Sequence, residues 1–365
     1  MTERYSFTPS RLKLARKRRG MTLLDLERAS GISTRTLSGY EKGRGGNLTA
    51  VALDALARAL GVPPTYLTAA EIEEIPLAAV SFRAPSKLTA GQRERALAAA
   101  RHAIMINEWI EERFRLPAAD IPTFPGRDPE WAAEKVRHHW DLGIAPISNM
   151  VHLLESRGVR VFTLAEDCQD VDAFSFYWKG TPYVILNTRK SGERGRFDAA
   201  HELGHLVVHP EHEIPHGKEA ELTAHRFAAA FLMPGKAVVA KRLNNATVDQ
   251  VLAARSIWKV SALALTHRLH ELDLVTEWGY RSLATNLSRM GFRRDEPGGI
   301  SRETSQLLAK VFAALRGEHT TPAQIARDLH LFSEEFNKHV FGLATTILTG
   351  GAQTSPPAPP TLRLV

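Results

Sequence analysis

Three short segments, VRVFTL (159–164), DAFSFYW (172–178) and TPYVILN (181–187), are rich in β-branched and aromatic residues and separated by brief breaks. Nearly all other apolar patterning in the chain repeats at helical spacing. This contrast constrains the fold most: a small antiparallel sheet set inside a helical chain. The expected class is α+β and mostly helical. Helical segments are expected over 90–114, 129–140 and 146–157 before the sheet, and again from about 195 to about 345.

The chain has 365 residues, more than one typical domain. No apolar run reaches the ~18–20 residues of a membrane span, and no apolar signal core follows the basic N-terminus. A cytoplasmic protein is expected. A single cysteine, Cys168, excludes an internal disulfide and a cysteine-rich zinc module. Any metal must therefore rely on histidine and carboxylate. Net charge is +7, and Arg11, Lys13, Arg16, Lys17, Arg18 and Arg19 form an acid-free block that points to a polyanion such as DNA.

The stretch TLLDLERASGISTRTLSGYEKG (22–43) has helix-turn-helix cadence. Thr22 is placed to cap a first helix with Asp25 at the capping-box position, Gly31 to make the turn, and Ser33 to cap a second helix. The first turn of that second helix would enter the major groove of double-stranded DNA. It would present Thr34, Arg35 and Thr36, with Ser33 and Ser38 alongside. Arg35 can donate two hydrogen bonds to guanine. Arg16 and Lys17 are expected near the phosphate backbone. The segments RLKLARKRRGMTLLDL, GISTRTLSGYEKG and LDALARALGV closely resemble the Xre/Cro-type helix-turn-helix family. That family often has a small residue after the leucine of its first helix; here it is Glu27.

HELGH (201–205) carries the H-E-x-x-H pattern. Positions i and i+4 share one helix face, so His201 and His205 can bind one zinc ion together. Glu202 stands beside them as general base for a metal-bound water. Roughly 0.04 copies of the pattern are expected by chance in a chain this size, so coincidence is a poor explanation. His209 lies one turn further on, but three ligands at i, i+4 and i+8 span about 12 Å of helix, too far for one ion. Its expected place is beside the ligands, facing substrate, or merely exposed. A third ligand is expected from a second helix, EAELTAHRFAAAFLMP (219–234): Glu221, with Glu219 the alternative.

GERGRFDAAHELGHLVVH followed by ELTAHRFAAAFLMP resembles the ImmA/IrrE family of zinc metallopeptidases, and EKVRHHWDLGIAPISNMVHLLESRGVRVF resembles its lead-in. The resemblance covers about residues 80–345 and implies a gluzincin-like fold, Glu221 as the third ligand, and a partner repressor of the Xre type as protein substrate. Zn2+ would polarise the scissile carbonyl, and His225, His209, Tyr183 and Arg196 are conceivable oxyanion donors. The expected organisation is a helix-turn-helix DNA-binding domain over 1–70, a linker over 71–92, a peptidase domain over 93–245, a helical C-terminal domain over 246–347 and a disordered tail over 348–365. WKVSALALTHRLHELDLV (258–275) has helix-turn-helix flavour but is expected to be core or dimer scaffold. A homodimer is expected from the paired half-sites such proteins read. The competing reading is a transcriptional regulator, antitoxin-like in one form, whose peptidase fold serves only sensing or dimerisation. A degraded HExxH would have favoured it, and the motif is intact.

Overall fold

Local capping chemistry starts most of the helices. The protein is described here by a computed structural model covering residues 4–76, 80–83, 88–165, 167–168, 170–209, 217–343 and 347. The Pro-rich segment 348–365, expected to be disordered, lies outside the described residues. The N-terminal unit runs β1 (Arg4–Tyr5), α1 (Pro9–Arg18), α2 (Leu23–Ser30), α3 (Thr34–Glu41), β2 (Leu48–Thr49), α4 (Ala50–Leu60) and α5 (Pro64–Thr68). Thr22 and Asp25 form the reciprocal capping box on α2, and Ser33 accepts from the Thr36 N–H to cap α3. Gly31, at φ 74°, makes the left-handed turn between them, a conformation that costs a side-chain-bearing residue about 1–2 kcal/mol.

The rest follows as β3 (Ser81–Arg83), α6 (Ala90–Glu111), α7 (Pro129–His139), α8 (Met150–Ser156), β4 (Arg160–Thr163), β5 (Ala173–Trp178) and β6 (Thr181–Leu186). After the sheet come α9 (Gly192–Val208), α10 (Lys218–Leu232), α11 (Gly235–Val239), α12 (Val248–Trp258), α13 (Ala262–Glu271) and α14 (Glu277–Arg289). The described helices end with α15 (Gln306–Gly317), α16 (Pro322–Asp328) and α17 (Ser333–His339).

The main sheet has strand order β3-β5-β6-β4. β5 pairs antiparallel with both β6 and β3, as expected of a hairpin region, but β4 runs parallel to β6. The expected antiparallel sheet is therefore mixed. β4 ends at Thr163 and β5 begins at Ala173, a separation longer than a tight hairpin turn, and β6 lies between the two strands in the sheet. β3 falls inside the stretch expected to be linker and supplies the opposite edge.

Both faces of the sheet are covered, which explains its continuous apolar runs. Phe162, Phe174, Phe176, Tyr183 and Ile185 point into a core shared with α1, α4, α6 and α15–α17. Val161, Ala173, Val184 and Leu186 point into a second core with α7–α10 and α12–α14. Helices expected to form one C-terminal unit thus divide between the two cores.

Buried or half-buried glutamates fasten distant helix starts in both cores. Glu155 accepts from the backbone N–H groups of Gln306 and Leu307 at the start of α15. Glu303 does the same for Met150 and Val151 at the start of α8. Glu296 bonds Arg255 at 2.6 Å and accepts from the Ala262 N–H at the start of α13. A carboxylate at a helix N-terminus satisfies orphan donors and opposes the helix dipole. Burial nevertheless pushes Glu155 and Glu296 each up to about 7, against these hydrogen bonds and, for Glu296, the Arg255 charge.

Candidate metal centre and nucleic-acid interface

α9 starts at Ser191, whose hydroxyl accepts from the Arg194 N–H, and buries nearly every side chain from Arg196 to Val208. It lies between the sheet and α10. The approach to α10 is closest at Gly204, where a Cβ would stand 3.1 Å from both the Ala224 carbonyl oxygen and the Phe227 ring. A bare backbone at this position lets α10 come near enough to bring Glu221 to the histidines.

Three side chains converge there. His201 Nε2 is 3.2 Å from Glu221 Oε2, His205 Nε2 is 3.3 Å from Glu221 Oε1, and the two Nε2 atoms are 3.1 Å apart. Tetrahedral zinc with bonds of about 2.0–2.1 Å separates its ligand atoms by about 3.3–3.4 Å, so the spacing fits. Two imidazole nitrogens with one carboxylate is also a donor set of catalytic zinc sites, which keep a fourth position open. Burial would raise the Glu221 carboxyl, but hydrogen bonds with His201 and His205 outweigh it and hold the group well below the usual carboxylate range. Glu219, the alternative ligand, is exposed and is not part of the cluster.

Glu202 is fully buried. The Ser175 hydroxyl donates to its Oε2 at 2.8 Å. Ser175 escaped the sequence reading, although it is a small polar residue alternating with aromatics in DAFSFYW, on the strand face that turns toward α9. His209 lies beside the cluster: its Nδ1 is 3.0 Å from His205 Nδ1, and burial, then the neighbouring His205, pushes it down to about 4.

The four conceivable oxyanion donors separate clearly. His225 packs near the centre, its ring 6.5 Å from that of His201, and His209 touches His205. Tyr183 points into the opposite core, where its hydroxyl accepts from Asn107 at 2.9 Å. Arg196 is buried in an ion pair with Glu303 and a bond to the Ile147 carbonyl. Neither Tyr183 nor Arg196 is available to a reacting carbonyl. From His225 a cleft of about 470 Å³ opens, lined by Phe197, Asp198, Arg194, His267 and Tyr280. α13, the helix with helix-turn-helix flavour, thus forms a wall of this cleft.

On α3, Ser33, Arg35 and Thr36 are exposed, and Thr34 and Ser38 are half-buried. Glu27 accepts from the Thr34 N–H at 3.0 Å, so the residue that departs from the family pattern caps the front of α3 from α2. Arg28, Lys42 and Arg44, in and beside the same two helices, are exposed.

The basic block on α1 does not form a free strip. Arg16, expected near the DNA backbone, grips both Glu41 oxygens at 2.6 and 2.8 Å, and Lys17 pairs with Glu74 and Glu94. Arg11 bonds the Ala70 carbonyl, Arg18 bonds Glu335 and Asp167, and Arg19 bonds the Leu60 and Gly61 carbonyls. α1 packs between α3, α5 and α6, so its cations are spent on internal acids and helix ends. Arg16 and Lys17, expected near the DNA backbone, thus both make ion pairs within the chain.

Comparison with known proteins agrees with the two halves. Residues 154–270 match the peptidase family model described as IrrE N-terminal-like domain, and residues 12–67 match a helix-turn-helix model. A protein of Bacillus phage phi105, named uncharacterized immunity region protein 2, is 26% identical over 96 residues. That alignment covers 24% of this chain and 61% of the phage protein, less than two thirds of its length. Among the described residues no helix is long and apolar enough to cross a membrane.

Proposed function

We propose that this chain, a helix-turn-helix segment joined to an IrrE N-terminal-like peptidase segment, is a DNA-binding regulator that hydrolyses a peptide bond in a partner repressor. The observation that carries the reading is the convergence of His201, His205 and Glu221 beside a buried Glu202. These three side chains would hold Zn2+. When bound, the ion supplies a Lewis acid for the scissile carbonyl and lowers the pKa of water toward neutrality.

The chain's own residues do the rest. Glu202 takes a proton on its carboxylate and returns it to the leaving amine. Ser175 fixes that carboxylate by its hydroxyl bond. His209 accepts at Nδ1 from the His205 Nδ1–H, which leaves His205 Nε2 as the ligating lone pair. His225, at the mouth of the cleft, is the histidine best placed to donate to the developing oxyanion. The cleft between α9, α10, α13 and α14 receives an extended peptide. An Xre-type repressor is the proposed substrate, by resemblance of the peptidase segment.

On the DNA side, Arg35 reads base edges from the first turn of α3, with Ser33, Thr34, Thr36 and Ser38 beside it. Exposed Arg28, Lys42 and Arg44 add phosphate contacts beside those proposed for Arg16 and Lys17. A homodimer would present two such helices to paired half-sites.

The deciding experiment compares wild type with Glu221→Ala and Glu202→Gln. Glu221→Ala should lose one equivalent of bound zinc. Glu202→Gln should keep it yet fail to cut a repressor that the wild type cleaves into two fragments. Cleavage undiminished by Glu202→Gln would sink the hydrolytic assignment and leave a regulator on a peptidase fold.

A further inference from the structure

A second set of metal-ligating side chains lies outside the α9 centre, among helices of the first core. α17 carries Glu335 and His339 one turn apart, and α6 brings His102 against them. Their relative exposures are 4%, 0% and 1%. His102 Nδ1 and His339 Nε2 are each 3.5 Å from the same oxygen, Glu335 Oε1, and the three donor atoms all lie within 4.8 Å of one another.

At 3.5 Å these contacts are long for N–H···O hydrogen bonds, whose usual range is about 2.7–3.2 Å. They are close to the separation of about 3.3–3.4 Å between ligand atoms around tetrahedral zinc. His102 Nδ1, both nitrogens of His339 and Glu335 Oε2 are buried without a hydrogen-bond partner. An unsatisfied buried polar group is costly, so four in one place call for a ligand. His102 is also oriented as a metal ligand should be: its other nitrogen, Nε2, is 3.0 Å from the Tyr66 hydroxyl.

Positive charge nearby sets a limit on affinity. Arg18 Nε is 2.6 Å from Glu335 Oε1, but another Arg18 nitrogen is neutralised by Asp167 at 2.7 Å. Arg19 and Lys338 stand further off, at 3.7 and 3.8 Å from Oε2, and are partly exposed. Asp167, 42% exposed, links Arg18 to solvent.

We propose that His102, His339 and Glu335 form a second site for a divalent transition ion of the zinc class, where α1 meets α6 and α17. It binds more weakly than the α9 centre, because Arg18 and the ion draw on one carboxylate oxygen. The proposal does not depend on the chain being a peptidase.

The test is zinc binding to the full chain at equilibrium, read by elemental analysis. Wild type should saturate at two equivalents and the His201→Ala/His205→Ala double variant at one. Adding His339→Gln to the double variant should abolish binding. Adding Arg18→Met instead should tighten it several-fold. Wild type saturating at one equivalent with the double variant at none would overturn the proposal and leave the α9 centre standing. One equivalent in both would support it and sink the α9 centre. Binding that survives His339→Gln would also overturn it. Cobalt in place of zinc gives a readout free of the His339 variant: the double variant should show tetrahedral absorption, and an octahedral spectrum refutes the site.

Discussion

Replacing Gly204 by alanine probes how α10 delivers its carboxylate. Two effects oppose each other. Alanine in a helix interior is favoured over glycine by about 0.5–1 kcal/mol. Against that, the new Cβ would stand 3.1 Å from the Ala224 carbonyl oxygen and 3.2 Å from the Ala224 Cα. Ordinary carbon contacts are about 3.5–4.0 Å, so the two helices must part by roughly 0.4 Å. Overpacking of this kind costs about 1–3 kcal/mol. The expected net is a destabilisation of about 0–2.5 kcal/mol, small enough to leave the chain folded. Zinc is less forgiving. Glu221 lies one turn before Ala224 on α10 and moves with it, while metal–ligand distances tolerate only about 0.2 Å. Zinc affinity in competition with a chelator should fall by about tenfold or more, with helicity unchanged. Denaturant unfolding of the metal-free chain measures the first effect separately. If Gly204→Ala is stabilised by the full propensity gain and keeps wild-type zinc affinity, the close approach does not set the ligand geometry, and the reasoning fails.

His209→Ala should keep the zinc stoichiometry of the α9 centre but weaken its affinity by about 10–100-fold, measured by chelator competition, because His205 loses its Nδ1 partner. Glu155 should give a pH signature. Its folded pKa, about 7, lies above an unfolded value of about 4.3, so the folded state holds the extra proton between those limits. Its contribution to stability therefore falls as pH rises from about 4.3 to 7 and is flat outside that window. Urea unfolding at several pH values should show this slope as the difference between wild type and Glu155→Gln; an equal pH dependence in both would refute the buried-acid account. Arg35→Ala should relax base preference at one position of a selected duplex by about 1–3 kcal/mol. Arg16→Ala should leave that preference alone and instead lower unfolding stability.

What could be read from the chain was mostly local. Thr22, Asp25, Gly31 and Ser33 announce α2 and α3 because capping needs particular side chains at fixed offsets. His201 and His205 announce their shared face for the same reason of helical period. Glu221 could be picked out because a short second helix followed at once. The missed features depend on distant partners. Nothing local says that β4 lies parallel to β6, or that β3 joins the sheet from within a supposed linker. Ser175 matters only because α9 crosses its strand. A run of arginines on α1 looks identical whether it faces phosphate or, as here, Glu41, Glu335 and the carbonyls of neighbouring helices. Residue type alone makes Tyr183 and Arg196 look like oxyanion donors, but both are buried away from the centre.

The shared core on the N-terminal side of the sheet bears on how such a chain can be rearranged. α1 buries Leu12, Leu14 and Ala15 in a core that also contains α6 and α15–α17. A helix-turn-helix head joined in this way is not a bead on a string. Cutting the gene after residue 70 would leave a sticky apolar face on both pieces. Grafting the head onto another body would require re-matching α1 to a new α6. The modular exchange that makes helix-turn-helix units easy to recombine is therefore restricted in this chain.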